Sequence, residues 1–253
     1  MKLISIGLTD VGRKRNHNED SFLLDTDLQL FVVADGMGGH AGGGTASTLA
    51  VQTIDREIRK LWELPDSPFR WQTSLHDSPL SQHLRAAVEL SCKEIFEAAQ
   101  SNPRLNGMGT TVIALLLHQE HALFAHVGDS RAYLMRKGAI QQVSEDHSLV
   151  YEQVKAGMIT AEEAKHSNYK NIITRSVGFE EEVLVDIYGL LSEPEDIFIL
   201  CSDGLANAVE DEEIKRVVLH SPTFEEAPKR LIALANERGG DDNITVVLVK
   251  RIS

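Results

Sequence analysis

The chain has 253 residues and a formal net charge of −13, with 38 Asp and Glu against 25 Lys and Arg. Its 42% hydrophobic and 25% charged content belongs to a globular protein with a filled core and excludes disordered and collagen-like classes. The acidic balance argues against nucleic acid as a partner, because such binding needs a basic face. No stretch approaches the roughly 18 apolar residues of a membrane span, and the first residues, MKLISIGLTDVGRKRNHNED, carry no long apolar run after their basic start. The cytoplasm is the expected compartment, with no membrane partner, and the chain is expected to work as a monomer.

In chain order, apolar runs bounded by turn residues predict strands at about 3–9, 20–25 and 30–35. Helical spacing follows at about 44–61 and 80–100, separated by a Pro-, Ser- and Asp-rich loop at 63–79 that carries Trp71. Strands at about 110–118, 121–127 and 131–136 lead to a polar segment, 146–172, with two short helical pieces, which reads as a flap. Strands at about 183–190 and 197–202, helices at 210–219 and 224–237 and a last strand at 243–251 complete the chain. Helices grouped between runs of strands predict an α+β fold, antiparallel sheets covered by helix pairs. Nothing in the middle reads as a linker, so residues 1–253 are expected to form a single domain.

Cys92 and Cys201 are too few and too far apart for a disulfide framework or a zinc site. Neither opens a C-x5-R pattern, since Ala98 and Asn207 stand where the arginine is needed. Both are expected to be small buried residues, and no thiolate nucleophile is expected.

The segment FVVADGMGGHAGGG, residues 31–44, runs from an apolar strand straight into six glycines with one histidine, His40, and no lysine. A P-loop needs that lysine. Gly36, Gly38 and Ala41 meet the loose G-x-G-x-x-G/A dinucleotide pattern, but Asp35 would then face a pyrophosphate and no βαβ unit surrounds it. Other apolar runs share the ending: LFAHVGDS at Asp129, IFILCSDG at Asp203, and GGDDNITVV places Asp242 ahead of the last strand, while Asp20 opens another. Carboxylates gathered at one mouth would repel one another and raise their pKa values unless cations neutralise them. Oxygen-only donors select hard ions such as Mg2+ or Mn2+, and Gly36 would let its carbonyl approach one closely.

Eight pieces, RNHNED (15–20), VVADGMGGHAGG (32–43), GMGTT (107–111), AHVGDSRAY (125–133), DHS (146–148), ITRSVG (173–178), LCSDGL (200–205) and DNITVV (242–247), span nearly the whole chain. Together and in this order they resemble the type 2C, metal-dependent Ser/Thr protein phosphatases (the PPM family) in their compact bacterial form. The resemblance implies a four-layer αββα sandwich with the active site at one edge of two central antiparallel sheets. It implies two Mg2+ or Mn2+ ions bridged by Asp35 and a water or hydroxide that attacks phosphorus directly. Gly36 would offer its carbonyl to one ion, Asp203 and Asp242 would hold the other, and Asp20 and Glu19 match acids that bind directly or through water. Asp129 matches a ligand of a third, weaker ion, sharing Asp203.

Two phosphate oxygens suit the planar fork of an arginine, and Arg15 is the family match, whereas Arg13 and Lys14 read as a solvated turn. Departure of a serine or threonine alkoxide needs a proton, for which His40 is the candidate. The implied substrates are phosphoserine and phosphothreonine proteins made by a Ser/Thr protein kinase, with Tyr169, Lys170 and Asn171 of the flap expected to select among them. Ser130, in GDSRA, only faintly resembles a nucleophile elbow. It reads as structural, as do His126, His147, Thr110 and Thr111. Gly44 and Thr45 stand where an acid often follows the glycines, and Asp241 where an arginine often precedes D-N. A catalytically silent phosphoprotein- or kinase-binding relative is the alternative function, and a dinucleotide oxidoreductase a third.

Overall fold

The structure is a computed structural model and describes residues 1–38, 42–64 and 78–253. Trp71, most of the predicted 63–79 loop, and His40 with its neighbours Gly39 and Ala41 lie outside the described residues. In chain order the elements are β1 (Leu3–Asp10), β2 (Asp20–Asp25), β3 (Leu30–Met37), α1 (Gly42–Glu63), α2 (Pro79–Ser101), β4 (Gly109–Thr110), β5 (Val112–His118), β6 (His121–Val127), β7 (Arg131–Arg136) and β8 (Ala139–Gln142). Then come α3 (Leu149–Lys155), α4 (Ala161–Lys165), β9 (Asp186–Leu191), β10 (Ile197–Cys201), α5 (Asp203–Ala206), α6 (Asp211–His220), α7 (Ala227–Glu237) and β11 (Ile244–Arg251).

Among the described residues the strands form two sheets, ordered β1-β11-β10-β7-β8 and β2-β3-β5-β6-β9, with β4 against the end of β3. Every strand pair is antiparallel, which removes the βαβ setting that a dinucleotide fold requires. Alternation along the strands builds the layers. Leu30, Val32 and Ala34 of β3 pack with α1 and α2, while Phe31 and Val33 join Phe124, Phe198, Leu200, Val247 and Val249 between the sheets. Ile199, Cys201, Ile244, Val246 and Leu248 turn the other way, onto Ile214, Val218, Leu231 and Ala235 of α6 and α7. The result is the four-layer αββα sandwich expected from the family resemblance, with three apolar interfaces.

The inter-sheet layer is the one that sets how the sheet edges meet. Phe198 is fully buried and its ring centroid lies 6.0 Å from that of Phe124 in the opposite sheet. Phe198→Ala is expected to cost about 3–5 kcal/mol through lost burial and the cavity left behind, read as a lower urea midpoint at unchanged slope.

Several boundaries differ from the sequence expectation for physical reasons. The predicted 110–118 strand is split, because Thr111 leaves the ladder to bond Asp35. The polar stretch AIQQ forms β8, since Lys137 and Gly138 both take positive φ, 51° and 80°, and make the tight turn that folds it onto β7. Val183 and Val185 pack against the helix layer without a strand partner, so β9 begins at Asp186. The 224–237 helix starts at Ala227, after a 3-10 turn over Phe224–Glu226, with Pro228 in its first turn where no N–H is missed. Cys92 and Cys201 are both buried and free, as expected. No helix among the described residues is long and apolar enough to cross a membrane.

Candidate active site

The antiparallel register of β2 and β3 places Asp20 opposite Asp35. Both continue the inter-sheet face by strand parity, Asp35 after Phe31 and Val33, Asp20 before Phe22 and Leu24, so the apolar layer ends in carboxylates at one edge. The other sheet meets them with hydroxyls. Ser202, at the end of β10, and Thr245, in β11, donate to Oδ2 of Asp20 at 2.9 and 2.6 Å. Sequence reasoning missed both, although a polar residue at an inward position of an otherwise apolar strand is a readable signal.

Asp35 is fixed through its backbone. Its N–H donates to Thr111 Oγ1 at 3.0 Å, and its carbonyl accepts from the Thr111 N–H and from Thr110 Oγ1, both at 2.9 Å. Ser130 Oγ, fully buried, bonds Thr111 Oγ1 at 2.7 Å, so it braces the same loop and is no nucleophile. A Cβ on Gly36 would lie 2.1 Å from the Gly43 carbonyl oxygen and 2.6 Å from that of Glu19. Only glycine therefore lets β3 pass between the β1–β2 loop and the first turn of α1.

Asp203 opens α5 directly after β10, and its Oδ2 accepts from Asn207 Nδ2 at 3.1 Å. Asp242 precedes β11 and accepts from Arg15 Nη2 at 2.8 Å across a partly exposed mouth. Asn243 ties the Arg15 loop to this strand, donating from Nδ2 to the carbonyls of Val11 and His17 at 2.9 and 3.0 Å and accepting from the Glu19 N–H at 2.8 Å. Arg13 and Lys14 only donate backbone N–H groups to Gly240. The extra acid Asp241 is exposed, and its carboxylate folds back over Gly239.

Burial and mutual repulsion act on these acids together. Asp35 is pushed well above the carboxylate range by burial, with the charges of Asp20, Asp203, Asp129 and Asp242 adding to it. Burial raises Asp20 to about 7 against the opposing hydrogen bonds from Thr245 and Ser202. Asp129 rises to about 8 through burial and then Asp203, and Asp203 to about 6 through burial and then Asp242. The hydrogen bond to Asp242 holds the Arg15 guanidinium more firmly protonated still. Among the described residues no three His, Cys, Asp or Glu side chains already close into a cage. The fit to a hard cation therefore rests on donor chemistry: an all-oxygen set carrying excess negative charge, with the buried Oδ1 atoms of Asp20 and Asp203 lacking any hydrogen-bond partner there.

Asp129 follows β6 on a loop held from behind by the flap. His147 and Gly128 exchange two hydrogen bonds, Gly128 N–H to Nδ1 at 3.1 Å and His147 N–H to the Gly128 carbonyl at 2.8 Å. His147 Nε2 pairs with Asp186 Oδ2 at 3.0 Å, and Asp186 Oδ1 accepts from Arg175 at 3.0 Å. His126 is fully buried beside it, ring centroids 4.7 Å apart, with its pKa lowered to about 3 by burial. Both histidines are thus structural, as the sequence suggested. Arg131 grips Asp146 with three hydrogen bonds of 2.7–3.0 Å, a pair not anticipated. The flap contains the two short helices foreseen, α3 and α4, and exposes Tyr169, Lys170 and Asn171.

Known proteins agree with this arrangement. The family model described as Protein phosphatase 2C matches residues 12–248. The serine/threonine phosphatase stp of Listeria monocytogenes is 39% identical over 246 residues, 96% of this chain and 94% of its own. Protein phosphatase PhpP of Streptococcus pneumoniae is 36% identical over 247 residues, 96% and 95% of the two chains. Among solved structures, the Mycobacterium tuberculosis serine/threonine phosphatase PstP/Ppp superposes with a TM-score of 0.88 at 35% identity, covering 99% of both chains. A PstP catalytic domain in complex with two manganese ions gives a TM-score of 0.86 at 34% identity, again over 99% of both. These relatives support an active phosphatase and give no support to the silent phosphoprotein- or kinase-binding alternative. With its sandwich fold and its edge of clustered carboxylates, the chain belongs to the protein phosphatase 2C family of metal-dependent serine/threonine protein phosphatases.

Proposed function

We propose that Asp20, Asp35, Asp203 and Asp242, with the Gly36 carbonyl, hold two Mg2+ or Mn2+ ions, and that Asp129 and Asp203 hold a third more weakly. The observation that carries this reading is the uncompensated charge: acids raised by desolvation and then by one another's charges, with the buried Oδ1 atoms of Asp20 and Asp203 left unpaired among the described residues. When bound, the ions would supply acidified water and charge compensation for the phosphoryl group.

The chain's own groups do the rest. Ser202 and Thr245 occupy one oxygen of Asp20 and so fix how the other is presented. Thr110 and Thr111 hold the Asp35 backbone rigid, which preorganises the centre before substrate arrives. Arg15, resting on Asp242 at the mouth, would turn its fork to two phosphate oxygens. His40 would protonate the departing serine or threonine oxygen. Substrates are phosphoproteins, and their source would be a Ser/Thr protein kinase in the cytoplasm, with the chain acting as a monomer. The exposed flap residues would contribute to choosing among them.

The test is phosphate release from a phosphothreonine peptide with Mn2+, with Mg2+ and with chelator. Activity that requires the metal supports the reading, and folded protein inert with both metals would sink it. For His40→Ala, turnover of phosphothreonine is expected to fall by about 10²–10⁴, while an aryl phosphate with a good leaving group loses little. Equal losses on the two substrates would remove the proton-donor role.

A further inference from the structure

Gly44 has no evident reason to be glycine. Its neighbours do: a Cβ on Gly43 would lie 2.7 Å from the Gly36 carbonyl carbon, and one on Gly42 would lie 3.0 Å from Met108 Cβ. A Cβ on Gly44 would meet Glu19 Cα at 3.8 Å and the Asn18 carbonyl at 3.9 Å, which is ordinary contact. Its backbone is part of α1 and needs no left-handed φ. Within a helix, glycine is less favourable than alanine by up to about 1 kcal/mol. Neither space nor backbone accounts for the residue.

What the missing side chain leaves open is a cleft of about 630 Å³. One wall is His17, Asn18 and Glu19 of the β1–β2 loop, and the other is Thr45, Thr48, Leu49 and Gln52 of α1, with Gly44 between them. The cleft lies beside the carboxylate edge: Glu19 precedes Asp20 in the chain, and its N–H bonds Asn243 Oδ1, next to Asp242, at 2.8 Å. It contains no Lys or Arg among its lining residues, so it is poorly suited to a second phosphate, which needs cations. An imidazole, two hydroxyls, two amides and the Glu19 carboxylate around Leu49 suit an extended polypeptide, with polar groups for its backbone and an apolar surface for one side chain.

We propose that this cleft is a substrate subsite that receives the polypeptide flanking the phosphoserine or phosphothreonine, and that Gly44 keeps its mouth open. The inference rests on the phosphatase reading above. A protein substrate must leave the phosphate site as a chain, and this cleft adjoins that site across Glu19, whose carbonyl accepts from the Gly36 N–H at 3.2 Å.

Gly44→Met fills the mouth with an uncharged side chain that favours the helix, and Gln52→Trp fills it independently from the exposed opposite wall. Each is expected to raise KM for a phosphothreonine peptide of about ten residues by about tenfold, with kcat unchanged. Hydrolysis of p-nitrophenyl phosphate should stay within about twofold of wild type, and the difference between variant and wild type should vanish on a peptide trimmed to phosphothreonine alone. Parallel losses on peptide and aryl phosphate would overturn the proposal, because Gly44 would then act on the catalytic centre. Unchanged peptide KM in both folded variants would overturn it as well. Wild-type protein without metal-dependent hydrolysis of the aryl phosphate would instead overturn the phosphatase reading, so the two failures are distinguishable.

Discussion

Asp203→Asn is expected to lower phosphatase activity by about 10³-fold while raising the thermal stability of the metal-free protein. The two effects have one origin. Asp203 is partly buried, its buried Oδ1 has no hydrogen-bond partner among the described residues, and desolvation and the nearby charge of Asp242 push its carboxyl up to about 6. Asparagine keeps the shape and removes the charge, so the metal-free fold loses a repulsion with Asp242 and Asp35. On the proposed reading, the same change removes a ligand that the main metal centre and the weaker third site would share. A metal centre stabilises the transition state by several kcal/mol, and each ~1.4 kcal/mol lost is tenfold in rate, hence the ~10³ expected. Melting with and without Mn2+, calorimetric titration of Mn2+, and phosphate release from one preparation check it together. A variant that melts lower without metal, yet binds Mn2+ as tightly as wild type, would show that Asp203 serves the fold alone.

This opposition between stability and site also explains what the sequence could and could not disclose. The ends of apolar runs at Asp35, Asp129 and Asp203 are local events, and a carboxylate after a buried strand is visible in one pass along the chain. The pairing of Asp20 with Asp35 and the hydroxyls of Ser202 and Thr245 on Asp20 are set by register between strands up to 225 residues apart. Periodicity carries that information only once the inward face is assigned. The same holds for His147, whose partner Asp186 lies 39 residues away. Residues 183–185 misled because apolar character records burial and not ladder pairing: Val185 is buried in the core beneath α1 and α2 without belonging to a strand. β8 was hidden for the converse reason, since turn geometry at Lys137 and Gly138 made a strand of residues with little apolar character. The sequence pattern thus reports one-dimensional burial well, and the site depends on contacts that only the closed sandwich brings about.

Without metal, the protein is expected to become less stable as pH rises from about 4 to about 8, the reverse of the usual behaviour of a paired acid. In the unfolded chain these aspartates release protons near 4. In the fold, Asp203 holds its proton to about 6, Asp20 to about 7 and Asp129 to about 8, with Asp35 also raised well above its ordinary value. Between those limits the native state binds more protons than the unfolded state, so stability is fully present below about 4 and is lost as pH rises through the folded values. Each proton so held changes the unfolding free energy by about 1.4 kcal/mol per pH unit. Acids held low by cations, such as Glu57 by Lys60 and Glu213 by Arg238, have the opposite sign but act below about 4.5. His126 and His147, both lowered by burial, also have the opposite sign up to about 6.5 but are outnumbered by the raised aspartates. Mn2+ held at the proposed site would compete with those protons, so its stabilisation should grow with pH and cancel the decline. Melting temperatures at about pH 5, 6.5 and 8, each with chelator and with Mn2+, measure both slopes. A metal-free melting temperature that climbs across the window would mean that the carboxylates are already compensated within the protein, and the case for a cation at this edge would lose its main support.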